Sequence, residues 1–329
     1  MKNVINTAND PYLNMAVEEY LLRTLSLQDD CFMLWQNSPA IIIGRHQNAW
    51  EEINSAYVKE HQIAVVRRLT GGGAVYHDLG NINFTFVVRD GGRGFDFDRF
   101  AQPIVQALAR MGINARASGR NDILIDGRKF SGNSEYRQGE RLLHHGTLLF
   151  ASDLSVLGQA LQVKPHKIAS KGIKSVQSRV TNIADYLTQP VSQTAFREAI
   201  MEAVAAELGA ELSDFRLQPS DLAAIQKLRT EKYATWEWNY GQAPKFNVQH
   251  SQRYGFGEID VRLEVVRGQI QSCTIYGDFF SNGDISKLAA QFTGVSYEQQ
   301  ALAAAIGKLD LKHYFPELSP QAFLQLLID

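Results

Sequence analysis

Three consecutive glycines at positions 71–73 set the tightest constraint on how this 329-residue chain can fold. They interrupt the segment AVVRRLTGGGAVYHDLGNINFTFVV, which predicts a strand, a glycine turn and a second strand. Glycine loses more backbone entropy on folding than any other residue, so three together indicate a place that tolerates no side chain. A hairpin or β-bulge with positive φ would explain this, and so would a nest of bare N–H groups that binds an anion. Arg67 and Arg68 beside the glycines suit phosphate or carboxylate binding, and both explanations stay open.

A second segment, RNDILIDGRKFSGNS at positions 120–134, combines a turn signal with charged residues. Asp126-Gly127 is typical of a two-residue hairpin turn, and that register pairs Leu124 with Lys129. Because side chains alternate across a strand, Asp122 and Lys129 would then project together beside an apolar sheet. Lysine for an anion and aspartate for Mg²⁺ would make a phosphate and metal site. Taken alone, a lysine and an aspartate that project together are more commonly a surface ion pair.

Histidines, a basic segment and two cysteines have more ordinary interpretations. His144 and His145 lack Cys or acidic partners at ligand spacing, so we expect hydrogen-bonding roles at the start of a strand rather than a metal site. Residues 163–182 are basic and poor in apolar side chains. Without interleaved aromatics, they favour a flexible anion clamp over a nucleic-acid patch.

Cys31 and Cys273 lie in apolar strand contexts typical of buried core thiols.

The predicted elements indicate an α+β protein with two domains. A helix is predicted over 11–25, and strands dominate the centre of the chain with helices inserted. From Asn247 onward, period-two alternation and two helical stretches predict a small second domain, so we expect domains at 1–246 and 247–329. The net charge of -2 offers no basic field for nucleic acid or an anionic membrane. We also expect a cytoplasmic location, because no signal peptide or membrane span is evident.

In combination, these segments resemble lipoate–protein ligase A, and the resemblance covers essentially the whole chain. The motifs that carry it occur in the family's order: NMAVEEYLL, IIIGRHQN, RRLTGGGAVYHDLGN, SGRNDILIDGRKFSGNS, HHGTLLF, KGIKSVQSRVTN and WEWNYGQAP. The resemblance implies a large mixed-sheet catalytic domain of the biotin/lipoate ligase type and a small C-terminal α+β accessory domain. It also implies that ATP and Mg²⁺ convert lipoate to lipoyl-AMP, without a tightly bound cofactor. The lipoyl group then passes to a lysine of an apo lipoyl domain, in 2-oxoacid dehydrogenase E2 subunits or the glycine-cleavage H protein.

The resemblance also implies roles for individual residues. Lys129 would be the invariant lysine that contacts the carboxylate and phosphate during adenylation, and the hairpin pattern described above adds Asp122 as the residue that binds Mg²⁺. The basic loop at 171–179 would close on the adenylate. Thr70 stands where many members have Ser, which keeps the hydroxyl. The nucleotide would contact Arg68, Gly73, Ala74, Val75, Tyr76, Asn121, Asp122, Lys129 and Lys171. Lipoate would contact Val17, Glu19, Trp35, Arg68, Thr70, His77 and Lys129.

Two alternatives remain at this point. An octanoyl or lipoyl transferase on the same scaffold would not use ATP and would need a cysteine nucleophile. No cysteine lies between Lys129 and Arg179, and both cysteines fall outside the motifs. A catalytically silent protein that binds lipoate or lipoyl domains is the other alternative. The intact Lys129, Arg68 and glycine segment argue against it.

Overall fold

The computed structural model describes residues 1–24, 29–91, 96–118, 121–161, 179–209, 211–241 and 246–328. Within these ranges an N-terminal unit is built around an eight-stranded sheet and a C-terminal unit around a three-stranded sheet, which confirms the α+β prediction. No helix in the described ranges is both long and apolar enough to cross a lipid bilayer.

The strands are β1 (Lys2–Val4), β2 (Cys31–Trp35), β3 (Ala40–Ile43), β4 (Ala64–Arg67), β5 (Val75–His77), β6 (Asn81–Arg89), β7 (Ala115–Ser118), β8 (Asp122–Ile125), β9 (Arg128–Gln138), β10 (Arg141–Leu149), β11 (Ser213–Phe215), β12 (Val248–Tyr254), β13 (Gly257–Val266) and β14 (Gln269–Gly277). The large sheet has the order β11-β1-β2-β6-β10-β9-β8-β7. β1 pairs in parallel with β2 and β11, and the other pairs are antiparallel, so the sheet is mixed. A small sheet, β4-β3-β5, accompanies it.

The helices are α1 (Pro11–Arg23), α2 (Ala49–Glu52), α3 (Ser55–Glu60), α4 (Phe97–Arg110), α5 (Leu154–Ala160), α6 (Gln193–Glu207), α7 (Pro219–Leu228), α8 (Trp236–Asn239), α9 (Ile285–Ala290), α10 (Gln299–Ile306), α11 (Leu311–Tyr314) and α12 (Pro320–Ile328). A 3₁₀ turn covers Ile183–Tyr186 and a π-helical turn covers Arg229–Tyr233. The predicted N-terminal helix is confirmed as α1. Its start is fixed by Asp10, whose carboxylate accepts hydrogen bonds from the amides of Tyr12 and Leu13, and by Pro11 in the first turn.

Alternation along the strands gives the large sheet two buried faces. On one face, Phe84 and Phe86 pack with α4 and α6 in an aromatic core. On the other face, Met33 and Val87 pack with α1 and with residues of the small sheet such as Ile42. The glycine turn joins β4 to β5 on this second side. The space between the two sheets is therefore where the chain can build a site.

The C-terminal unit has a hydrophobic core drawn from residues 248–327 of the chain. Its strands form a β12-β13-β14 meander, and Arg267-Gly268 make the turn between β13 and β14 with φ of 50° and 76°. The two predicted helical stretches correspond to α9 and α10, and α11 and α12 add two helices that the sequence analysis did not predict. The domain boundary at 246/247 stays a prediction, because residues 242–245 lie outside the described ranges.

Candidate active site

The glycine turn between β4 and β5 has three glycines that meet different demands. A Cβ on Gly71 would lie 2.2 Å from the carbonyl oxygen of Phe279, so this position needs a close backbone approach. Gly72 has φ of +88°, a left-handed conformation that favours glycine. Around Gly73 no described atom lies within 4 Å of the place that a Cβ would take. The turn explanation therefore holds for Gly72, whereas Gly73 leaves room for a ligand against its backbone.

Arg68 holds the glycine turn in shape. Its guanidinium donates hydrogen bonds to the carbonyls of Gly71 at 2.5 Å and Gly73 at 2.9 Å. It also donates to the carbonyl of Ile42 at 3.0 Å and to the hydroxyl of Thr70 at 2.9 Å. Burial lowers the pKa of Arg68 to about 10, which still leaves it cationic at neutral pH. Arg68 thus supports the turn as well as bordering the cavity described below.

Arg67, the other arginine of the pair, has a different environment. It is fully buried, and its guanidinium donates to the carbonyls of Gln47 at 2.6 Å, Trp238 at 3.0 Å and Asn239 at 3.0 Å. It is not among the residues that border the cavities below. Arg67 therefore joins β4 to the segment around α8 and does not offer its charge to a ligand.

Two cavities meet beside the glycine turn. The inner cavity, of about 600 Å³ with its open mouth, lies between the two sheets and is bordered at one end by Met15, Trp35 and Ile42. The outer cavity, of about 1610 Å³ with its open mouth, lies over the β8–β9 hairpin. Four residues border both spaces: Ala74, Val75, Lys129 and Thr147. The two cavities are therefore neighbours, separated by little more than these side chains.

The strand register gives the inner cavity a direction. Trp35 on β2 pairs with Asn83 on β6, and Asn83 pairs with Thr147 on β10. The row continues to β9, where the amide of Gly132 donates to the Thr147 hydroxyl at 3.1 Å. Adjacent strands lie about 4.8 Å apart, so Trp35 and Gly132 are roughly 14 Å apart across three spacings. Trp35 marks the aromatic end of the cavity and Gly132 marks the opposite end.

Lys129 occupies that opposite end. The predicted hairpin is present, with φ of 50° at Asp126 and 77° at Gly127, and Leu124 pairs with Lys129 as expected. A register shift next to Leu124 then pairs Asp122 with Gly132. The Lys129 Nζ lies 2.7 Å from Asp122 Oδ1, and a Cβ on Gly132 would lie 2.7 Å from the same Nζ. Gly132 thus makes room for the ammonium group, which stands between the cavities.

A buried chain of hydrogen bonds runs behind the inner cavity. The Thr70 hydroxyl accepts from Arg68 and lies 2.8 Å from His145 Nε2. His145 Nδ1 lies 2.9 Å from Glu18 Oε1, and because a carboxylate oxygen only accepts hydrogen bonds, Nδ1 carries the hydrogen and donates it. In the neutral ring Nε2 is then bare, so Thr70 donates to it. His145 therefore has the predicted hydrogen-bonding role and joins the glycine turn to α1, but it lies in the middle of β10 and not, as predicted, at the start of a strand.

The same carboxylate receives a second chain from the aromatic end. Trp35 Nε1 donates to the Thr85 hydroxyl at 2.8 Å, and Thr85 donates to Glu18 Oε1 at 2.6 Å. Glu18, His145 and Thr85 were not among the residues that the sequence analysis assigned to ligands. These residue types are common in any protein, so they gave no signal in the sequence. The register of β6 and β10 pairs Thr85 with His145, and both bond to Glu18 on α1. The network fixes the orientation of Trp35 against the cavity.

The comparisons with known proteins identify the family of this chain. A model described as "Lipoyl protein ligase A/B catalytic domain" matches residues 10–205, and one described as "Bacterial lipoate protein ligase C-terminus" matches residues 243–327. This chain belongs to the lipoyl protein ligase A/B family. The lipoate-protein ligase LplJ of Bacillus subtilis is 44% identical over 322 residues, which are 97% of each chain.

Two solved structures of the family also match. A bipartite lipoate protein ligase with its E2 lipoyl domain from Thermoplasma acidophilum has a TM-score of 0.67 and 29% identity, covering 75% of this chain and 98% of that one. A lipoate-protein ligase A bound with ATP has a TM-score of 0.65 and 26% identity, covering 74% of this chain and 99% of that one. The mixed sheet therefore has the fold of the lipoate ligases.

Most of the residues that the resemblance assigned to ligands border the two cavities. Those that border the inner cavity are Trp35, Arg68, Gly73, Ala74, Val75, His77, Asn121 and Lys129. Those that border the outer cavity include Tyr76 and Asp122. Thr70 is fully buried behind Arg68. Lys171 and most of the basic segment lie outside the described residues.

Val17 and Glu19 lie elsewhere. Val17 packs in the core beneath the sheet and does not border either cavity. The Glu19 carboxylate turns toward the segment before α8, where Lys232 Nζ lies at 2.5 Å and Tyr233 Oη at 2.6 Å. The neighbouring Glu18 is the acidic residue of α1 that reaches the site, through His145. The roles of Val17 and Glu19 in binding lipoate stay predictions, since neither residue borders the two cavities.

Proposed function

We propose that this chain uses ATP to convert lipoate into lipoyl-AMP and then transfers the lipoyl group to a lysine of a lipoyl domain. The observation that carries the proposal is the position of Lys129, which borders both cavities where they meet. One elongated, partly apolar space and one wider space with charged walls share a single ammonium group. That arrangement suits a reaction between the carboxylate of an acyl chain and a nucleotide phosphate.

In the first step, a carboxylate oxygen of lipoate attacks the α-phosphorus of ATP. A bond forms between that oxygen and phosphorus, and the bond from phosphorus to the bridging oxygen of pyrophosphate breaks. Negative charge spreads over the phosphoryl oxygens, and the Lys129 ammonium is available to stabilise it. The open space over Gly73 lets the adenylate lie against the backbone. The acyl chain then points toward Trp35, in the aromatic end of the inner cavity.

In the second step, the acceptor lysine attacks the acyl carbon of the mixed anhydride. The carbon–nitrogen bond forms, AMP leaves with the bridging oxygen, and the amine loses a proton. No covalent intermediate with the enzyme is needed. Neither cysteine borders the two cavities, and burial raises the pKa of Cys31 to about 11 and of Cys273 to about 12. Protonated, distant thiols do not support a transferase that carries its acyl group on sulfur.

Mg²⁺ belongs to the proposal as the partner of the ATP phosphates. No group of three His, Cys, Asp or Glu side chains that could hold a metal occurs in the described part of the chain. Mg²⁺ commonly binds through one or two carboxylates together with substrate phosphates and water. Asp122, which borders the outer cavity beside Lys129, fits such a site. The metal would neutralise phosphate charge there.

We further propose that the acceptors are lipoyl domains of 2-oxoacid dehydrogenase E2 subunits and the glycine-cleavage H protein. The T. acidophilum relative was solved as a ligase with its E2 lipoyl domain, which supports the first of these. The proposal places catalysis in residues 1–246 and an accessory role in residues 247–329. It also places the enzyme in the cytoplasm.

Pyrophosphate exchange tests the proposal directly. The enzyme with Mg²⁺, ATP, lipoate and labelled pyrophosphate should return label to ATP, because adenylate formation is reversible. Adding an apo lipoyl domain should then give the acceptor the mass of one lipoyl group. A transferase would give the mass gain only from an acylated carrier and would show no exchange. A binding protein would show neither, and either result would overturn the proposal.

A further inference from the structure

His77 borders the aromatic end of the inner cavity and has one ring nitrogen without a partner among the described residues. The side chain is only 3% exposed, it borders the cavity, and its ring centre lies 6.2 Å from that of Trp35. Its Nε2 atom is buried and has no hydrogen-bond partner among the described residues. A buried donor without a partner costs about 1–3 kcal/mol, so the group calls for an acceptor that the described residues do not supply.

The proton on His77 is fixed by a chain of amides that starts at two backbone carbonyls. Asn14 Nδ2 donates to the carbonyls of Ala8 at 3.0 Å and Gln36 at 2.8 Å, which identifies that atom as the nitrogen. The same Nδ2 lies 2.8 Å from Asn37 Oδ1 and shares one of its two hydrogens with it, because the Asn37 amide nitrogen at that place would face a second donor. Asn37 must therefore present its Nδ2 to His77 Nδ1, at 3.1 Å. Nδ1 accepts, so the proton of the neutral ring is on Nε2.

The ring stays neutral over the working pH range. Burial, with a smaller contribution from the charge of Arg68, lowers the pKa of His77 to about 3. Asn83 borders the cavity from the neighbouring strand, and its Oδ1 accepts from Asn81 Nδ2 at 2.9 Å. The far end of the cavity thus has apolar walls and a small polar patch, in which His77 Nε2 and Asn83 Nδ2 are buried without a partner among the described residues.

We propose that His77 Nε2–H selects the tail of the acyl substrate by donating to a sulfur of the dithiolane ring. This inference rests on the proposed function, which directs the carboxylate to Lys129 and the tail to Trp35. Lipoate and octanoate have the same eight-carbon backbone, and only lipoate carries acceptor atoms at its far end. With octanoate bound, the donor would be buried against methylene groups and unsatisfied.

The size of the effect follows from the chemistry of sulfur. A site built to hydrogen-bond a substrate rejects an analogue that lacks the bonding group, because its own polar group is left unpaired. Thioether-like sulfur is a weak hydrogen-bond acceptor. We therefore expect a preference for lipoate at the lower end of the range that hydrogen-bonding groups in a site produce. We expect His77 to favour lipoate over octanoate by about tenfold in kcat/KM.

The test compares pyrophosphate exchange with lipoate and with octanoate in the wild type, His77→Phe and His77→Gln. Phe keeps an aromatic ring beside Trp35 and removes the donor, so the lipoate-to-octanoate ratio of kcat/KM should fall about tenfold. Gln retains an N–H donor and should keep most of the preference. Met15→Leu, which changes an apolar wall of the same cavity, should alter both acids by a similar factor. Circular dichroism melts check that each variant is folded, and His77→Leu replaces His77→Phe if the latter is not.

The outcomes separate this inference from the proposed function. A wild type that exchanges label with neither acid would overturn the proposed function itself. A wild type that activates the acids, with the same ratio in folded His77→Phe or His77→Leu, would overturn the role of His77 alone. Loss of the preference in His77→Gln as well as in Met15→Leu would show that cavity shape, and not the donor, sets the selectivity.

Discussion

The carbonyl oxygen of Phe279 takes the space that a side chain on Gly71 would need, 2.2 Å from the ideal Cβ position. The amide of Gly72 lies 3.4 Å from the same oxygen, in a weak hydrogen bond. The Phe279 ring stacks on His46 with 4.9 Å between ring centres, and the amide of Gly277 donates to the His46 carbonyl at 2.8 Å. The C-terminal unit thus touches the turn that walls the inner cavity, so the Phe279 contact links domain docking to the shape of the site.

Gly71→Ala should weaken that contact. The new Cβ would meet a backbone atom, which cannot rotate away as the end of a flexible side chain can. Overpacking of this kind costs about 1–3 kcal/mol. Urea unfolding followed by tryptophan fluorescence measures the loss, and Gly73→Ala is the matched control because its Cβ would meet open space. Equal stability of the two variants would show that the Phe279 contact does not constrain the turn.

Gly73→Val should abolish ATP binding while the protein stays folded. Gly73 is not among the glycines with positive φ, so the backbone accepts a β-branched residue. The valine methyl groups would enter the space that the proposed adenylate occupies. Isothermal calorimetry with ATP, next to a thermal melt, separates the two effects. An unchanged ATP affinity would mean that the nucleotide lies elsewhere.

Local signals in the sequence were enough to predict the hairpin that carries Lys129. Asp126-Gly127 fixes a two-residue turn, and the turn fixes the pairing of Leu124 with Lys129. The same logic found α1, because its cap and its apolar spacing are contiguous in the chain. The ion pair between Lys129 and Asp122 then follows from the strand pairing, although a register shift changes which residues face each other.

Long-range partners could not be predicted in this way. The sequence around Gly71 does not indicate a contact with Phe279. Phe279 lies more than two hundred positions away and approaches Gly71 only because the two domains dock. Glu18 and Glu19 are adjacent on one helix, and only the fold decides that Glu18 meets His145 while Glu19 meets Tyr233. The proton on His77 likewise depends on amides from α1 and the segment after β2.

Lys129→Ala should fold and lose adenylate formation by about 100- to 1000-fold, because the donor that faces the developing phosphoryl charge is gone. Pyrophosphate exchange with lipoate and ATP measures this loss. Lys227→Ala provides the control, since that lysine is exposed on α7 and makes only a long 3.9 Å ion pair with Glu231. Near-normal exchange by folded Lys129→Ala would refute the role proposed for this residue.

Acid should destabilise the protein in part through His77. Its pKa is lowered from 6.5 to about 3 by burial, so the unfolded chain binds a proton in a range where the folded protein does not. The stability from this group is complete well above pH 6.5 and falls as the pH decreases toward 3. Between pH 7 and pH 5 the loss is about 2 kcal/mol. Urea unfolding at both pH values should show a loss smaller by that amount in His77→Phe, and equal losses would mean that the buried ring is not kept neutral.

The double substitution Cys31→Ser, Cys273→Ser should still lipoylate an apo lipoyl domain with ATP and Mg²⁺. The adenylate passes its acyl group straight to an amine, whereas a transferase would need the thiol to carry it. Cys31 is buried and its Sγ lies 3.7 Å from the Asp29 carbonyl, while Cys273 borders a separate cavity near Asp284. Replacing a buried thiol with a hydroxyl costs about 1–3 kcal/mol where no partner is found, so a lower melting temperature is expected.

Mass gain of the acceptor, measured beside a circular dichroism melt, decides this prediction. The two single substitutions serve as controls for any loss that comes from stability alone. A folded double variant that cannot lipoylate the acceptor would contradict direct transfer from the adenylate. So would a thioester trapped on Cys31 or Cys273 of the wild type. Because burial keeps the pKa of both thiols far above neutral pH, we expect neither outcome and retained activity in every folded variant.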